Sequence, residues 1–183
     1  LRGGSTLVKQ RSVRVGLIGL GGVGQLHALA CKASDRVELS AVCDVSAERL
    51  AEYAAWEGVA SYRDHREMLA QQQLDLVGVL TPAATHAAIT ADVASAGVDV
   101  LTEKPIATKL EDARAMVDLC AAANVRLFYG STYRHLPAIV AARRLIADGA
   151  IGAPLLLRES YVGGAGADAR EPLSAAHYPS GGV

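Results

Sequence analysis

The stretch from Val13 to Gly24, Val-Arg-Val-Gly-Leu-Ile-Gly-Leu-Gly-Gly-Val-Gly, constrains the fold of this chain more than any other. Val13, Val15, Leu17 and Ile18 make a short apolar run of the kind that forms a buried strand. The run turns through Gly19-x-Gly21-x-x-Gly24 into helix formers, Gln25 to Lys32. Strand, glycine turn and helix in that order suit a dinucleotide pyrophosphate. Gly19 permits the tight turn, Gly21 lets the backbone approach the phosphates, and Gly24 lets helix and strand pack closely. The free amides and positive dipole end of the helix would then face the negative charge. Gly19, Leu20, Gly21, Gly22, Val23 and Gly24 are the expected cradle, and the remaining chain should supply a sheet, a ribose reader and a catalytic site.

The pattern downstream predicts such a sheet. Val37 to Asp44 reads as a second strand ending on an acid. Ser46 is expected to cap a helix through about Glu57, with Gly58 in the left-handed position just past its end. A brief strand at Val59-Ala60 precedes Asp64-x-x-Glu67, a capping-box variant opening a helix to about Gln72. Leu74 to Leu80 is the next buried strand, stopped by Thr81-Pro82, and Thr85 is expected to cap the helix that Gly97 ends. Val98 to Leu101 follows as a strand, then a capping box at Thr108-x-x-Glu111 and a helix with Leu110, Ala113, Val117 and Cys120 on its buried face. Asn124 closes that helix before a strand at Val125 to Tyr129. Strands alternating with helices mean βαβ units and right-handed crossovers, hence an α/β Rossmann-type doubly wound parallel sheet over residues 13–130. Residues 1–12 are an N-terminal tail outside that fold. Past Gly130 the pattern changes to a helix from Pro137 to about Asp148, a turn, a long strand candidate at Leu155 to Val162, and a loop-like stretch to Val183.

Composition narrows the function classes. At 51% hydrophobic and 20% charged, with net charge −1, the chain carries no basic footprint for nucleic acid. No apolar stretch approaches the roughly 20 residues that span a bilayer, so no membrane partner is expected. Cys31, Cys43 and Cys120 have no metal or CxxC spacing and read as reduced thiols of a cytoplasmic protein. No metal-ligand cluster is visible among His27, His65, His86, His135 and His177.

The chemistry-bearing residues follow the strands. Asp44 lies twenty positions after Gly24 at the end of the second strand, where an acid accepts hydrogen bonds from the adenosine ribose hydroxyls. It would repel a 2′-phosphate, which favours NAD over NADP, although Arg49 one turn along keeps NADP possible. Thr81, Pro82 and His86 follow the fourth strand, and Glu103-Lys104-Pro105 follows the fifth. By the switch-point rule both stretches belong to the ligand side of the sheet. From position alone, His86 reads as a solvated residue in a helix's first turn. Lys104 is one of four lysines against 14 arginines and sits at a strand's carboxyl end. An ammonium there could polarise a substrate hydroxyl or join in proton transfer; the alternative is a surface lysine in a turn. There is no P-loop GxxxxGK[ST], no Tyr-x-x-x-Lys and no GxSxG.

Gly-Leu-Gly-Gly-Val-Gly at 19–24, Cys-Asp at 43–44, Thr-Pro-x-x-x-His at 81–86 and Glu-Lys-Pro at 103–105 together resemble the Gfo/Idh/MocA family, the glucose–fructose oxidoreductase and inositol dehydrogenase relatives. Tyr133-Arg134-His135-Leu-Pro137 and Asp-Gly-Ala-Ile-Gly at 148–152 are similar to the family's passage into its second domain. The resemblance implies an NAD(P)-dependent oxidoreductase that moves hydride between nicotinamide and a secondary alcohol of a sugar, cyclitol or related polyol. It implies that Glu103-Lys104-Pro105 lines the nicotinamide pocket, so that Lys104 meets both cofactor and reacting hydroxyl, that Thr81, Pro82 and His86 lie near the cofactor, and that Arg134 reaches the substrate side. It also implies a homo-oligomer in the full-length form, and a second α/β domain with a mostly antiparallel sheet of which residues 131–183 are the start. The family's Asp-x-x-x-His motif, which supplies a proton-transfer histidine, is not found before Val183. The expectation is a truncated chain that binds cofactor but turns over poorly, with residues 155–183 poorly packed or paired to another chain. The alternative is a catalytically silent dinucleotide-binding module, a sensor or partner subunit.

Overall fold

The computed structural model describes residues 11–158. Six strands, β1 (Val13–Ile18), β2 (Val37–Cys43), β3 (Ala60–Tyr62), β4 (Leu76–Val79), β5 (Asp99–Glu103) and β6 (Leu127–Gly130), form one sheet. Its order is β3-β2-β1-β4-β5-β6 and every neighbouring pair is parallel. The direction of winding reverses between β1 and β4, so the ligand crevice of such a sheet opens above their carboxyl ends. The helices are α1 (Gly22–Lys32), α2 (Ala47–Ala51), α3 (His65–Gln71), α4 (His86–Ser95), α5 (Leu110–Ala122) and α6 (Pro137–Ala147).

Alternation along the strands builds a core on each face of the sheet. Val15 and Leu17 point to one side, where Ala28 of α1 and Leu50 and Tyr53 of the α2 region close over them. Ile18, Val77, Val79 and Val100 belong to the other core, covered by Met68 of α3, Ile89 and Val93 of α4, and Cys120 of α5. β2 changes phase midway: Val15 pairs with Leu39 but Gly16 pairs with Ala41, leaving Ser40 as a bulge. That one-residue slip lets Leu39 and Val42 serve the same core although three residues apart. The two faces thus hold their helices by apolar burial, the dominant favourable contribution to folding.

Several local expectations are corrected. The helix expected from Ser46 to Glu57 ends at Ala51. Successive i to i+3 turns follow, with Tyr53 N–H donating to Leu50 O and Trp56 N–H to Tyr53 O. The tighter repeat suits Tyr53 and Trp56, three apart, which pack against the same core. Thr85 stands at the start of α4 but its hydroxyl donates back to Pro82 O instead of capping the helix. α5 opens at Lys109, with no side-chain cap from Thr108. Its buried residues are Met116 and Cys120, whereas Leu110 and Val117 are exposed, because the helix covers the sheet along a narrower stripe than expected. Gly58, Gly97 and Asn124 do take positive φ at the three helix-to-strand joints.

The described residues fall into two compact units, the first ending at Gly130 and the second beginning at Ser131. In the second, a 3-10 turn at Thr132–His135 precedes α6. No strand follows Gly130 among the described residues, so the antiparallel sheet is not seen there. Of the strand candidate Leu155 to Val162, residues 155–158 form no strand and Leu155, Leu156 and Leu157 are exposed; its remainder, and the stretch to Val183, lie outside the described residues.

Candidate functional site

The glycine turn closes on the end of β4. Gly19 has φ of +95°, and a Cβ there would fall 2.8 to 2.9 Å from the backbone of Leu80 and Thr81. Only glycine combines that dihedral with that approach. A Cβ on Gly24 would lie 2.1 Å from Gly19 O, so α1 rests directly on the turn that precedes it. At Gly21 and Gly22 the added atom would meet nothing within 4 Å: the loop is bare on its outer side. The first intrahelical bond is Gln25 N–H to Gly21 O, which leaves the amides before it without helical acceptors. Leu20 is an exception in the cradle, since its side chain is buried and its N–H donates to Asp44 Oδ2 at 2.7 Å. Val23, by contrast, is exposed on α1.

Asp44 is therefore tied to the loop it serves. Its Oδ1 accepts the Ser46 N–H at 2.8 Å, and the Arg49 guanidinium lies 3.4 Å from Oδ2. Arg63 donates to Val45 O at 2.8 Å, so two guanidinium groups flank the residues just after β2. Beside Asp44, burial pushes the Cys43 thiol up to about 12, with Asp64, Asp44 and Glu67 adding to the shift. Cys43 is thus an inert core thiol and not a nucleophile.

Across the switch point, Thr81 and Pro82 follow β4 and Lys104 follows β5. Thr81 Oγ1 and Thr85 Oγ1 share a hydrogen bond of 2.7 Å. His86 overturns the expectation of a solvated ring, for it is 0% exposed. Its Nε2 lies 2.7 Å from Thr81 O. Its Nδ1 lies 3.2 Å from Thr102 Oγ1, 3.1 Å from Pro105 O and 3.2 Å from Ile106 O. His86 thereby joins the loop after β4 to the segment after β5. That segment contains a cis bond between Lys104 and Pro105. Glu103 Oε2 accepts the Lys104 N–H at 2.9 Å, while Oε1 lies 3.2 Å from His27 Nε2. Lys104 itself is exposed.

The structure therefore gathers Gly19, Gly21, Gly24, Asp44, Thr81, Pro82, His86, Glu103 and Lys104 on loops and helix starts at the carboxyl ends of β1, β2, β4 and β5. Arg134 lies in the 3-10 turn of the second unit and is exposed. His27 and Thr102 are contacts that sequence reasoning missed. The signal for His27 was its position one helical turn after Gly24, on the helix that the glycine turn opens. No group of three or more metal-ligating side chains occurs among the described residues, and none of their helices is long and apolar enough to cross a membrane.

A bare loop backbone, an unspent helix N-terminus and an acid at the end of β2 are chemically suited to a dinucleotide: amides can meet a pyrophosphate and a carboxylate can accept from ribose hydroxyls. Comparisons with known proteins agree. Residues 13–131 match the family described as "Oxidoreductase family, NAD-binding Rossmann fold", GFO_IDH_MocA. The chain is 40% identical over 146 residues to D-apiose dehydrogenase of Paraburkholderia graminis, an alignment covering 79% of this chain and 39% of that protein. It is 33% identical over 147 residues to myo-inositol 2-dehydrogenase of Thermotoga maritima, covering 80% and 44%. Its fold matches that of the WlbA dehydrogenase of Bordetella pertussis, solved in complex with NADH and UDP-GlcNAcA, with TM-score 0.72 and 35% identity over 78% of this chain and 44% of that one. The chain thus spans about two fifths of the length of these curated relatives. On its fold, its glycine cradle and these matches, it belongs to the Gfo/Idh/MocA oxidoreductase family.

Proposed function

We propose that this chain is the cofactor-binding part of an NAD-dependent dehydrogenase that acts on a secondary hydroxyl of a sugar, cyclitol or related polyol. The observation that carries the reading is the Lys104 segment. It leaves the carboxyl end of β5, with Glu103 on one side and His86 on the other, across the β1–β4 switch point from the glycine turn. Dehydrogenases of apiose and myo-inositol among the relatives support a polyol substrate.

In this reading NAD, when bound, supplies the hydride acceptor. The amides of Gly21, Gly22 and Val23 hold the pyrophosphate, with the positive end of α1 behind them. Asp44 receives the ribose hydroxyls and disfavours a 2′-phosphate by like-charge repulsion. Thr81, Pro82 and the ring of His86 form the wall after β4. Lys104 presents an ammonium to the reacting hydroxyl, orienting it and stabilising negative charge that develops on its oxygen. The enzyme is cytoplasmic and homo-oligomeric.

The test is a fluorescence titration with NADH and NADPH. NADH should bind, and Asp44→Ala should weaken it at least tenfold, the order expected when a charged hydrogen-bond partner worth about 1.5–3 kcal/mol is lost. Failure of both nucleotides to bind, or no loss in Asp44→Ala, would sink the cofactor assignment. For the chemistry, the full-length protein is assayed against sugars and inositols, with Lys104→Ala expected to retain NADH binding and lose turnover.

A further inference from the structure

Glu103 ends β5 with both carboxylate oxygens engaged inside the protein. Oε1 faces His27 Nε2 at 3.2 Å, and Oε2 accepts the Lys104 backbone N–H at 2.9 Å. The His27 and Glu103 side chains are 28% and 15% exposed, so the contact is sheltered, where a bond to a charged group keeps more of its strength. Gly130, at the end of β6, makes room for this arrangement. A Cβ there would lie 3.3 Å from Glu103 Oε1 and 3.1 Å from Thr102 O. At the far end of the same segment, the buried His86 ring stands against the carbonyls of Pro105 and Ile106. Lys104 is thus bracketed: its amide is set by a glutamate that α1 holds, and the carbonyls after it by a histidine of α4.

We propose that His27 is a positioning residue for Lys104, acting through Glu103. The helix whose first turn forms the cofactor cradle then also fixes the direction in which the Lys104 side chain leaves the backbone. The inference rests on the reading of Lys104 as the group that meets the reacting hydroxyl. It adds that Glu103 works within the protein, and that His27, 76 positions from Glu103 along the chain yet 3.2 Å away in space, completes the device. Orientation matters here because a displacement on the order of 1 Å at a reacting group can cost about 100-fold in rate.

The chain has four lysines, Lys9, Lys32, Lys104 and Lys109, which makes their amines separable reporters. Reductive dimethylation with 13C keeps the charge and labels each, and Lys104→Arg assigns its signal. Lys32 stacks over Trp56 at 4.4 Å and reports whether α1 is intact. In His27→Leu the Lys104 signal should move toward that of the exposed Lys109 while Lys32 stays in place. In His27→Gln, which can still donate an N–H to Glu103, the Lys104 signal should hold its wild-type position. In the full-length protein, His27→Leu should lower kcat about tenfold and leave the KM for NADH within about threefold, with His27→Gln restoring most of the rate. An unmoved Lys104 signal in His27→Leu, or equal movement in both variants, overturns the proposal. So does movement of Lys32 together with Lys104, which would assign His27 to holding the helix. Absence of NADH binding by the wild type would instead refute the cofactor reading, and the lysine spectra would still decide the role of His27.

Discussion

Thr90 lies one turn after His86 on α4, fully buried, and its hydroxyl has no hydrogen-bond partner among the described residues. A buried hydroxyl that has surrendered water without gaining a partner costs free energy that a methyl of the same shape does not. Thr90→Val should therefore raise stability by about 1 kcal/mol, seen as a higher urea midpoint with an unchanged slope. A lower midpoint would mean that the hydroxyl has a partner after all. His86 makes the opposite case at the same scale. Its ring is equally buried, but both nitrogens find oxygen atoms, from Thr81, Thr102, Pro105 and Ile106. The two residues also mark where sequence reading stops. A histidine in a helix's first turn looks solvated until the segment after β5 is seen to close over it. Gly19, Gly24 and Asp44, by contrast, stand out in the sequence because the glycine spacing and an acid ending the next strand are patterns of the chain itself. Only in the fold does Gly19 meet Leu80 and Thr81, and Asp44 meet Leu20.

Among elements, the strands and helices announce themselves by alternation and by the glycines and asparagine at their joints, whereas their ends do not. The α2 region reads as one long helix because nothing in residues 46–57 reveals that Tyr53 and Trp56 must both face the same core. The amino ends of the strands carry no sequence motif, yet they hold the most extensively bonded ion pairs. Asp99, at the start of β5, accepts the Arg126 N–H at 2.8 Å and Nε–H at 2.7 Å, and pairs with the Arg126 Nη2 group as well. Asp75, just before β4, accepts the Arg14 N–H at 2.8 Å and pairs with the Arg11 guanidinium. Burial is the largest single influence on each carboxyl and opposes its charge. The arginine hydrogen bonds and charges together outweigh it, holding both carboxyls below the ordinary carboxylate range. A carboxyl lowered in this way stabilises the fold fully above its unfolded value, and that contribution disappears as pH falls through the lower folded value. The fold should therefore lose stability as pH drops from about 5 toward about 2. In Asp99→Asn the urea midpoint should fall less over that range than in the wild type. Parallel pH slopes in the two proteins would remove the linkage.

For the molecule as a whole, both core clusters, the sheet and the cradle lie in the first unit, while no residue from 131 to 158 is buried. Cofactor binding should then act on the stability of the first unit alone. A ligand that binds only the folded form stabilises it by RT ln(1 + [L]/Kd), about 2.7 kcal/mol when its concentration is 100 times Kd. Trp56, the single tryptophan, packs 5.0 Å from Tyr53 against the core beneath α1 and reports the unfolding of that unit. Its thermal midpoint should rise by roughly 5–10 °C with NADH at that excess, and by far less with NADPH or in Asp44→Ala. Trypsin gives the complementary measurement. Arg143 and Arg144 on α6 are exposed and should be cut at the same rate with or without NADH. Cleavage within residues 13–130 needs the sheet to open, and should slow about 100-fold, the factor by which binding depletes the open form. Equal protection of α6 would mean that the two units unfold together, and the cofactor would then be stabilising the described chain as one cooperative body.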